Sequence, residues 1–351
     1  MVEHDPEHTS SPEPGRTPSK DRLDLIIRVV IVVLVAGVLG LGGLFGYTVW
    51  QARQEESTAT PAQRAIRDLE ALVRKQPNSA AARVRLAEAL AAAGSTKEAN
   101  VQLAVAVKLD PKHTGAWLDL GLIAMQDKQV ADAGRYFQKV VDLTEGAQYE
   151  AINNRREQAF FHLGEIALDA RRFDDAVADF KAAIRIRKDA SDSYYLLAQS
   201  LKGLGEDDAA LKQLDAALAF DPNYPEAQFM YGELLLAKGD TINAATHLRK
   251  AADLAPKRKE PLAALAKLGS AKDAVSRGRA ALNAGKVAEA IDAALLARAL
   301  DPTSVDAIFL QADALIKKGD KKTAVTVLKE AQKIAPKNAT AAKELSALGA
   351  K

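Results

Sequence analysis

The chain has 351 residues, no cysteine, and 48 Lys and Arg against 46 Asp and Glu, a formal net charge of +2. The absence of thiols excludes disulfides, thiolate metal sites, haem attachment through a cysteine pair and a lipidated cysteine after signal cleavage. Hydrophobic residues make up 48% but aromatics only 5%. Because much of the apolar fraction is alanine, the composition points to a thin, continuous core between closely approaching helices.

Residues 1–22 are rich in Pro, Ser, Glu and His and show no apolar periodicity, the signature of a disordered tail. His4 and His8 stand four apart in this tail, where a metal site is not expected. The next segment, 23–52, reads as a transmembrane helix. No charged residue falls between 29 and 52, and its 22-residue apolar run would reach roughly 33 Å, enough for a hydrocarbon core of about 30 Å. Tyr47 and Trp50 stand at its far end, where amphipathic aromatics prefer the interface. A cleavable signal peptide is the rival, but its apolar stretch would be shorter, about 7–15 residues, and followed by a small-x-small site. Arg16, Lys20, Arg22 and Arg28 precede the run, while Arg53 and Arg64 follow it. The positive-inside bias therefore places the N-terminus in the cytoplasm and the rest of the chain outside a cell (inner) membrane. Gly42 and Gly46 form a G-x-x-x-G on this helix, a face on which two spans pack closely. A polar neck, 53–60, leads out of it.

From about residue 61 onward the chain repeats. Alanine recurs at Ala99, Ala133, Ala176, Ala210, Ala244, Ala290 and Ala324. Pro77 and Pro111, Pro222 and Pro256, and Pro302 and Pro336 are each 34 residues apart. A fixed period in the thirties means stacked helical hairpins. Units then start at Ala80, Thr114, Glu157, Ser191, Pro225, Ala271 and Val305, with insertions of about 9 residues before Glu157 and about 12 before Ala271. Position 8 of each unit is Gly or Ala, and position 24 is a large apolar residue in six of the seven units. Position 15 is Gly94, Gly205, Gly239, Gly285 and Gly319, where a helix ends in a left-handed residue. Ala65, Leu69 and Leu72 suit the second helix of an incomplete unit, and 338–350 suits a C-terminal capping helix.

Trp117, Leu120, Gly121, Ala133 and Phe137, and again Tyr194, Leu197, Ala210, Ala217 and Pro222, resemble the tetratricopeptide repeat family. The resemblance covers 61–351 and implies an all-α fold: a right-handed superhelical solenoid of about seven hairpins. The sixth unit departs most, with Ala274 and Arg277 at large apolar positions. In this family positions 2, 5, 9, 12 and 13 commonly face the concave groove. Position 5 holds Val84, Leu118, Phe161, Tyr195, Phe229, Val275 and Phe309; position 9 holds Glu165, Gln199, Glu233 and Asp313 among others. The resemblance thus implies a partner-binding groove of Leu118, Phe161, Glu165, Tyr195, Gln199, Phe229, Glu233, Phe309 and Asp313. An aromatic stripe bordered by carboxylates suits a protein or peptide partner with apolar and basic residues. The competing reading is that these side chains only pack helix on helix, as is expected of Val84 and Val275.

The first insertion is expected to lengthen the following helix and project Tyr149, Arg155 and Arg156. The second contains a short apolar piece, 261–268. Either insertion is a partner site or a kink in the stack. Residues 257–351 hold 18 Lys and Arg against 10 Asp and Glu, which reads as solvated helix faces, or else as a contact for acidic partners or lipid. No phosphate loop, nucleophile elbow or metal-spaced His/Glu pair is present, so no enzyme activity, cofactor, metal or nucleic-acid partner is expected.

The arrangement resembles ancillary factors of the secretion translocon and repeat domains of cytochrome c maturation factors. The expected function is therefore a membrane-anchored scaffold or adaptor. The alternatives are a structural subunit of a larger membrane complex, a homo-oligomer among them, or an organelle-surface import receptor with cytosolic repeats.

Overall fold

The computed structural model describes residues 33, 34, 36–38, 40–50 and 60–349, and the described residues contain helices and no strand. The chain divides into two compact units, 1–99 and 100–351. The division falls inside the first full repeat.

In the first unit, the described residues of 33–50 form helix α1, with Val33, Leu34, Leu41, Leu44 and Phe45 all exposed. Among the described residues no helix is long and apolar enough to cross a membrane. The tail with His4 and His8, the start of the 23–52 segment and nearly all of the neck lie outside the described residues. Helix α2 (Pro61–Lys75) opens on a capping box: the Thr60 hydroxyl accepts from the Gln63 amide while the Gln63 side chain accepts from the Thr60 amide. It packs against α3 (Ala80–Ala92), which buries Val84 and Leu86.

Helix α4 (Thr96–Leu109) straddles the division. The second unit continues as paired helices: α5 (Thr114–Gln126) with α6 (Val130–Thr144), α7 (Asn154–Asp169) with α8 (Phe173–Ile186), α9 (Ser191–Gly203) with α10 (Asp207–Phe220), and α11 (Pro225–Ala237) with α12 (Thr241–Leu254). A short helix, α13 (Glu260–Ala266), precedes two further pairs, α14 (Ala271–Asn283) with α15 (Val287–Leu300) and α16 (Val305–Lys318) with α17 (Lys321–Ile334). Helix α18 (Ala339–Ala347) caps α17, burying Ala341 and Leu345. The second helix of one pair packs on the first helix of the next at α6–α7, α8–α9, α10–α11 and α15–α16.

Each pair is held by the alternation that the repeat pattern shows. Phe137 and Phe180 are fully buried. Their rings lie against the bare backbones of Gly121 and Gly164, where a built Cβ at Gly164 would meet Phe180 at 2.8 Å. Burying a phenyl ring contributes about 1.5–3 kcal/mol, and only a glycine opposite leaves room for it here. At Gly232 the same space is taken by Leu248, 2.7 Å from a built Cβ. The sixth unit follows suit despite its small residues: Ala274 is fully buried, and Leu310 of the next unit fills the space above Gly278.

Between units the Asp-Pro turns work by a local mechanism. The carboxylates of Asp110, Asp221 and Asp301 accept from the amides of Lys112, Asn223 and Thr303 at 2.9–3.0 Å, which fixes the turn before the next helix. Within units the helix-ending glycines have φ of 78–91°. In the two units where that position is not glycine, Lys128 (φ 60°) and Arg171 (φ 57°) adopt the same left-handed conformation.

The two insertions behave differently from a simple lengthening. The first makes a 3-10 turn, Glu150–Ile152, and starts α7 early, at Asn154. Tyr149 is exposed as expected, but Arg156 is buried: its guanidinium donates to the Val141 carbonyl at 2.6 Å and the Thr144 hydroxyl at 3.1 Å. The expectation that it projects fails because the end of α6 leaves a carbonyl and a hydroxyl for it to satisfy. The second insertion folds as α13, which buries Pro261 and Leu265 beside α12. Helix α12 then packs on α15, and the Arg249 guanidinium donates to the carbonyls of Ala299 and Leu300 at its end.

Gly121→Ala and Gly164→Ala are expected to lower stability by about 1–3 kcal/mol through overpacking, even though alanine is the better helix former by about 1 kcal/mol. Urea unfolding measures this, and a neutral or stabilised Gly164→Ala would show that the Phe180 ring moves aside freely. Lys128→Gly, which relieves a left-handed lysine, is expected to leave stability unchanged or raise it by up to about 1 kcal/mol.

Candidate functional site: an aromatic cavity between two hairpins

Helices at position 5 of each unit present one side chain at the same height, so its burial decides which of them a partner can touch. Leu118, at 6% exposure, belongs to the core with Phe137 and Ile166 and offers no surface. Val84 and Val275 are also buried. Phe161, Tyr195, Phe229 and Phe309 are half-buried, each with one flank on the core and one open. Beta-branched and leucine side chains are short enough to sink between the helices, whereas the rings extend past them.

The structure brings four of the expected groove residues together. Tyr195 and Gln199 from α9, and Phe229 and Glu233 from α11, line one cavity of about 770 Å³. Its remaining walls are Leu168, Asp169, Arg171 and Phe173 around the α7–α8 turn, Lys202 and Gly203 at the end of α9, Glu226 and Met230 on α11, and Arg258 after α12. Phe173 lies flat on the backbone of Gly203, with ring carbons 2.5 Å from where a Cβ would stand. The guanidinium of Arg171 sits 5.8 Å from the Phe173 ring centre, and that of Arg258 6.0 Å from the Phe229 ring centre. Tyr195 stacks obliquely on Tyr224, with ring centres 5.0 Å apart.

The carboxylates of this site are largely answered from within. Lys202 Nζ pairs with Glu233 Oε2 at 2.9 Å, and Arg258 Nη1 with Glu226 Oε1 at 2.7 Å. The acidic border inferred from position 9 therefore does not demand a basic partner at these two residues. Burial, followed by the Glu226 carboxylate, pushes the Tyr195 phenol above its usual 10, against the pull of Arg258. Burial and the neighbouring Asp192 do the same to Tyr224.

The remaining expected residues lie elsewhere. Phe161 meets Phe180 edge-on at 6.0 Å, and Glu165 Oε2 sits 2.7 Å from His162 Nδ1 on the same helix. Phe309 packs on the C-terminal core, and Asp313 is exposed on the same helix, its pKa raised by partial desolvation against the pull of Arg279. Gly42 and Gly46 are exposed, with nothing within 4 Å of a built Cβ. Among the described residues no group of three or more His, Asp or Glu is placed to hold a metal.

Positions 5 and 9 supply Tyr195, Gln199, Phe229 and Glu233 to the cavity. Read at positions 2, 12 and 13, the same unit numbering finds Glu226, Leu168, Lys202, Asp169 and Gly203. Arg171, Phe173 and Arg258 carry no such signal, because they come from turns and from the start of a second helix.

Family models described as Tetratricopeptide repeat match residues 62–104, 102–149 and 275–339, residues 167–234, and residues 225–258. The chain is a tetratricopeptide repeat protein. This tetratricopeptide repeat protein is similar to DnaJ homolog subfamily C member 3 of Mus musculus, 29% identical over 207 residues, and of Rattus norvegicus, 30% identical over 208. Each match takes in 57% of this chain and 41% of the relative, so the chain spans about two fifths of the length of these curated relatives. It is also similar to the solved structure of YrrB, described as a TPR protein with an unusual peptide-binding site. That likeness is 20% identical with a TM-score of 0.49, over 56% of this chain and 96% of the other.

Tyr195 gives a direct check on the cavity. A folded pKa above the unfolded value of 10 means stability that is present below pH 10 and lost as pH rises through the folded value. In an ultraviolet pH titration, the phenolate difference between the parent protein and Tyr195→Phe is expected to reach its midpoint above pH 10. A midpoint at or below pH 10 would show the ring to be open to water.

Proposed function

We propose that this tetratricopeptide repeat protein is a non-enzymatic adaptor that holds a protein or peptide segment in the Tyr195–Phe229 cavity. The observation that carries this is the cavity itself: two half-buried aromatic rings with open flanks, floored by Phe173 and Met230 and rimmed by fixed charge pairs. Partly exposed rings in a concave, mostly preformed site supply anchoring area at low entropic cost. The segment carries an apolar or aromatic anchor. Its basic neighbours have Asp169 to meet, since Glu226 and Glu233 are already paired.

The uncharged run between 29 and 52, with its cationic N-terminal flank, supports anchoring in a cell membrane with the repeats on the extracytoplasmic side. On this reading the protein is a scaffold that presents or holds clients beside a membrane, in secretion or in cytochrome c maturation. The second reading, a structural subunit of a membrane complex, draws on the exposed Gly42–Gly46 face.

Purification from native membranes in mild detergent separates these. The parent protein, the Tyr195→Ala/Phe229→Ala variant and a variant lacking 1–52 are compared by mass spectrometry. Partners are expected to stay with the truncated protein and to be lost, roughly tenfold or more, from the double variant. Partners that stay with the double variant and leave with the truncation would overturn the adaptor reading in favour of the structural one.

A further inference from the structure

The first insertion builds something that the repeat does not need. Its 3-10 turn packs on α8, and between the turn, α7 and α8 lies a second cavity of about 300 Å³, lined by Glu150, Arg156, Phe160, Ala182, Arg185 and Ile186. None of these residues belongs to the Tyr195–Phe229 cavity.

The turn is clasped in place. One Glu150 oxygen pairs with Arg156 Nη2 at 2.9 Å, and the other accepts from the Gly146 amide at 2.8 Å. Arg156 in turn reaches the end of α6 and lies 5.0 Å from the Phe160 ring centre. Both charges of the clasp are therefore consumed. Two large apolar side chains flank Glu150 in this fixed turn and point to water: Tyr149, 65% exposed, and Ile152, 69% exposed. Exposed apolar groups on a pinned backbone pay little ordering cost when a partner covers them.

The charge left over is positive. Arg185, in the last turn of α8, lines the cavity and is exposed with no ion-pair partner among the described residues; Arg155, at the start of α7, is likewise unpaired. Among the described residues Glu150, already engaged twice, is the only carboxylate in the cavity wall. The site thus combines an apolar wall (Phe160, Ala182, Ile186), apolar shoulders (Tyr149, Ile152) and an unanswered guanidinium. A guanidinium of this kind takes a carboxylate with two parallel hydrogen bonds.

We propose that the insertion is a second docking site, independent of the aromatic cavity, for an acidic peptide segment: an aliphatic or aromatic side chain covers Tyr149 and Ile152 or enters the cavity, and a carboxylate next to it pairs with Arg185. Its chemistry is opposite to that expected of the groove, which lets one chain hold two unlike segments.

The test pans a displayed library of random linear heptapeptides on the full-length protein, on Arg185→Glu, on Tyr149→Asp/Ile152→Asp, and on Phe229→Ala. The substituted side chains at the insertion are exposed, and matched urea midpoints confirm that the variants fold. One class of peptides is expected to carry Asp or Glu beside Leu, Ile or Phe. That class should bind about tenfold more weakly to both insertion variants, and equally well to Phe229→Ala. The proposal is overturned if no peptide class depends on Arg185, or if the dependent peptides lack a carboxylate. It is also overturned if sedimentation shows that Arg185→Glu dissociates an oligomer of the parent chain, which would assign the face to a second copy.

Discussion

Close approach of two helices within a hairpin is the constraint on which the second unit rests. In three pairs a glycine on the first helix faces a large residue on the second, Gly121 and Phe137, Gly164 and Phe180, Gly232 and Leu248, while Gly278 of the sixth unit is met by Leu310 of the next. The largest partners, the two phenylalanines, are met by glycine, which removes the Cβ that would collide. Where the contact is made inside the hairpin, the same geometry recurs without reference to distant sequence. It also sets how far the position 5 side chains stand out, and so which of them remain open for binding.

The regular stack leaves little room for specificity, and the interesting chemistry gathers where it is interrupted. Arg171 occupies a left-handed turn position that glycine fills in five other units, and it does so at the rim of the aromatic cavity, over Phe173. A left-handed non-glycine costs on the order of 1 kcal/mol, which the surrounding helices must offset. The 257–259 turn that follows α12 supplies Arg258 to the same rim. Beside both interruptions an arginine caps a helix end: Arg156 at the end of α6, and Arg249 of α12 at the end of α15. Each places a guanidinium against carbonyls that a helix leaves unpaired, so the same chemistry absorbs both interruptions.

Part of the charge in this protein is paired between helices. Lys202 and Glu233 pair across neighbouring units, whereas Arg258 and Glu226, and Arg187 and the buried Glu157, tie the start of a unit to its own end. Each pair joins the first helix of a unit to a residue some 30 positions away in the chain. A sequence count of acids and bases sees all of these residues as available. Beside the first insertion the structure leaves Arg155 and Arg185 without ion-pair partners among the described residues.

How much was legible follows from how local each cause is. The repeat period, the helix ends at the position 15 glycines, the Asp-Pro turns and the small-against-large alternation are all set within some 34 residues, so the sequence alone determined them. It also determined that rings at Tyr195 and Phe229 would stand at one height on neighbouring helices. Leu118 was misjudged because position 5 reports direction and not reach: a leucine sinks where a ring protrudes. Arg156 was misjudged because its partners, the Val141 carbonyl and Thr144, lie on a different helix. The pairing of Glu226 with Arg258 and of Glu233 with Lys202, the walls drawn from turns and the seating of α12 on α15 depend on side chains that meet only once the helices pack. Those contacts are fixed by tertiary packing, which no local period encodes.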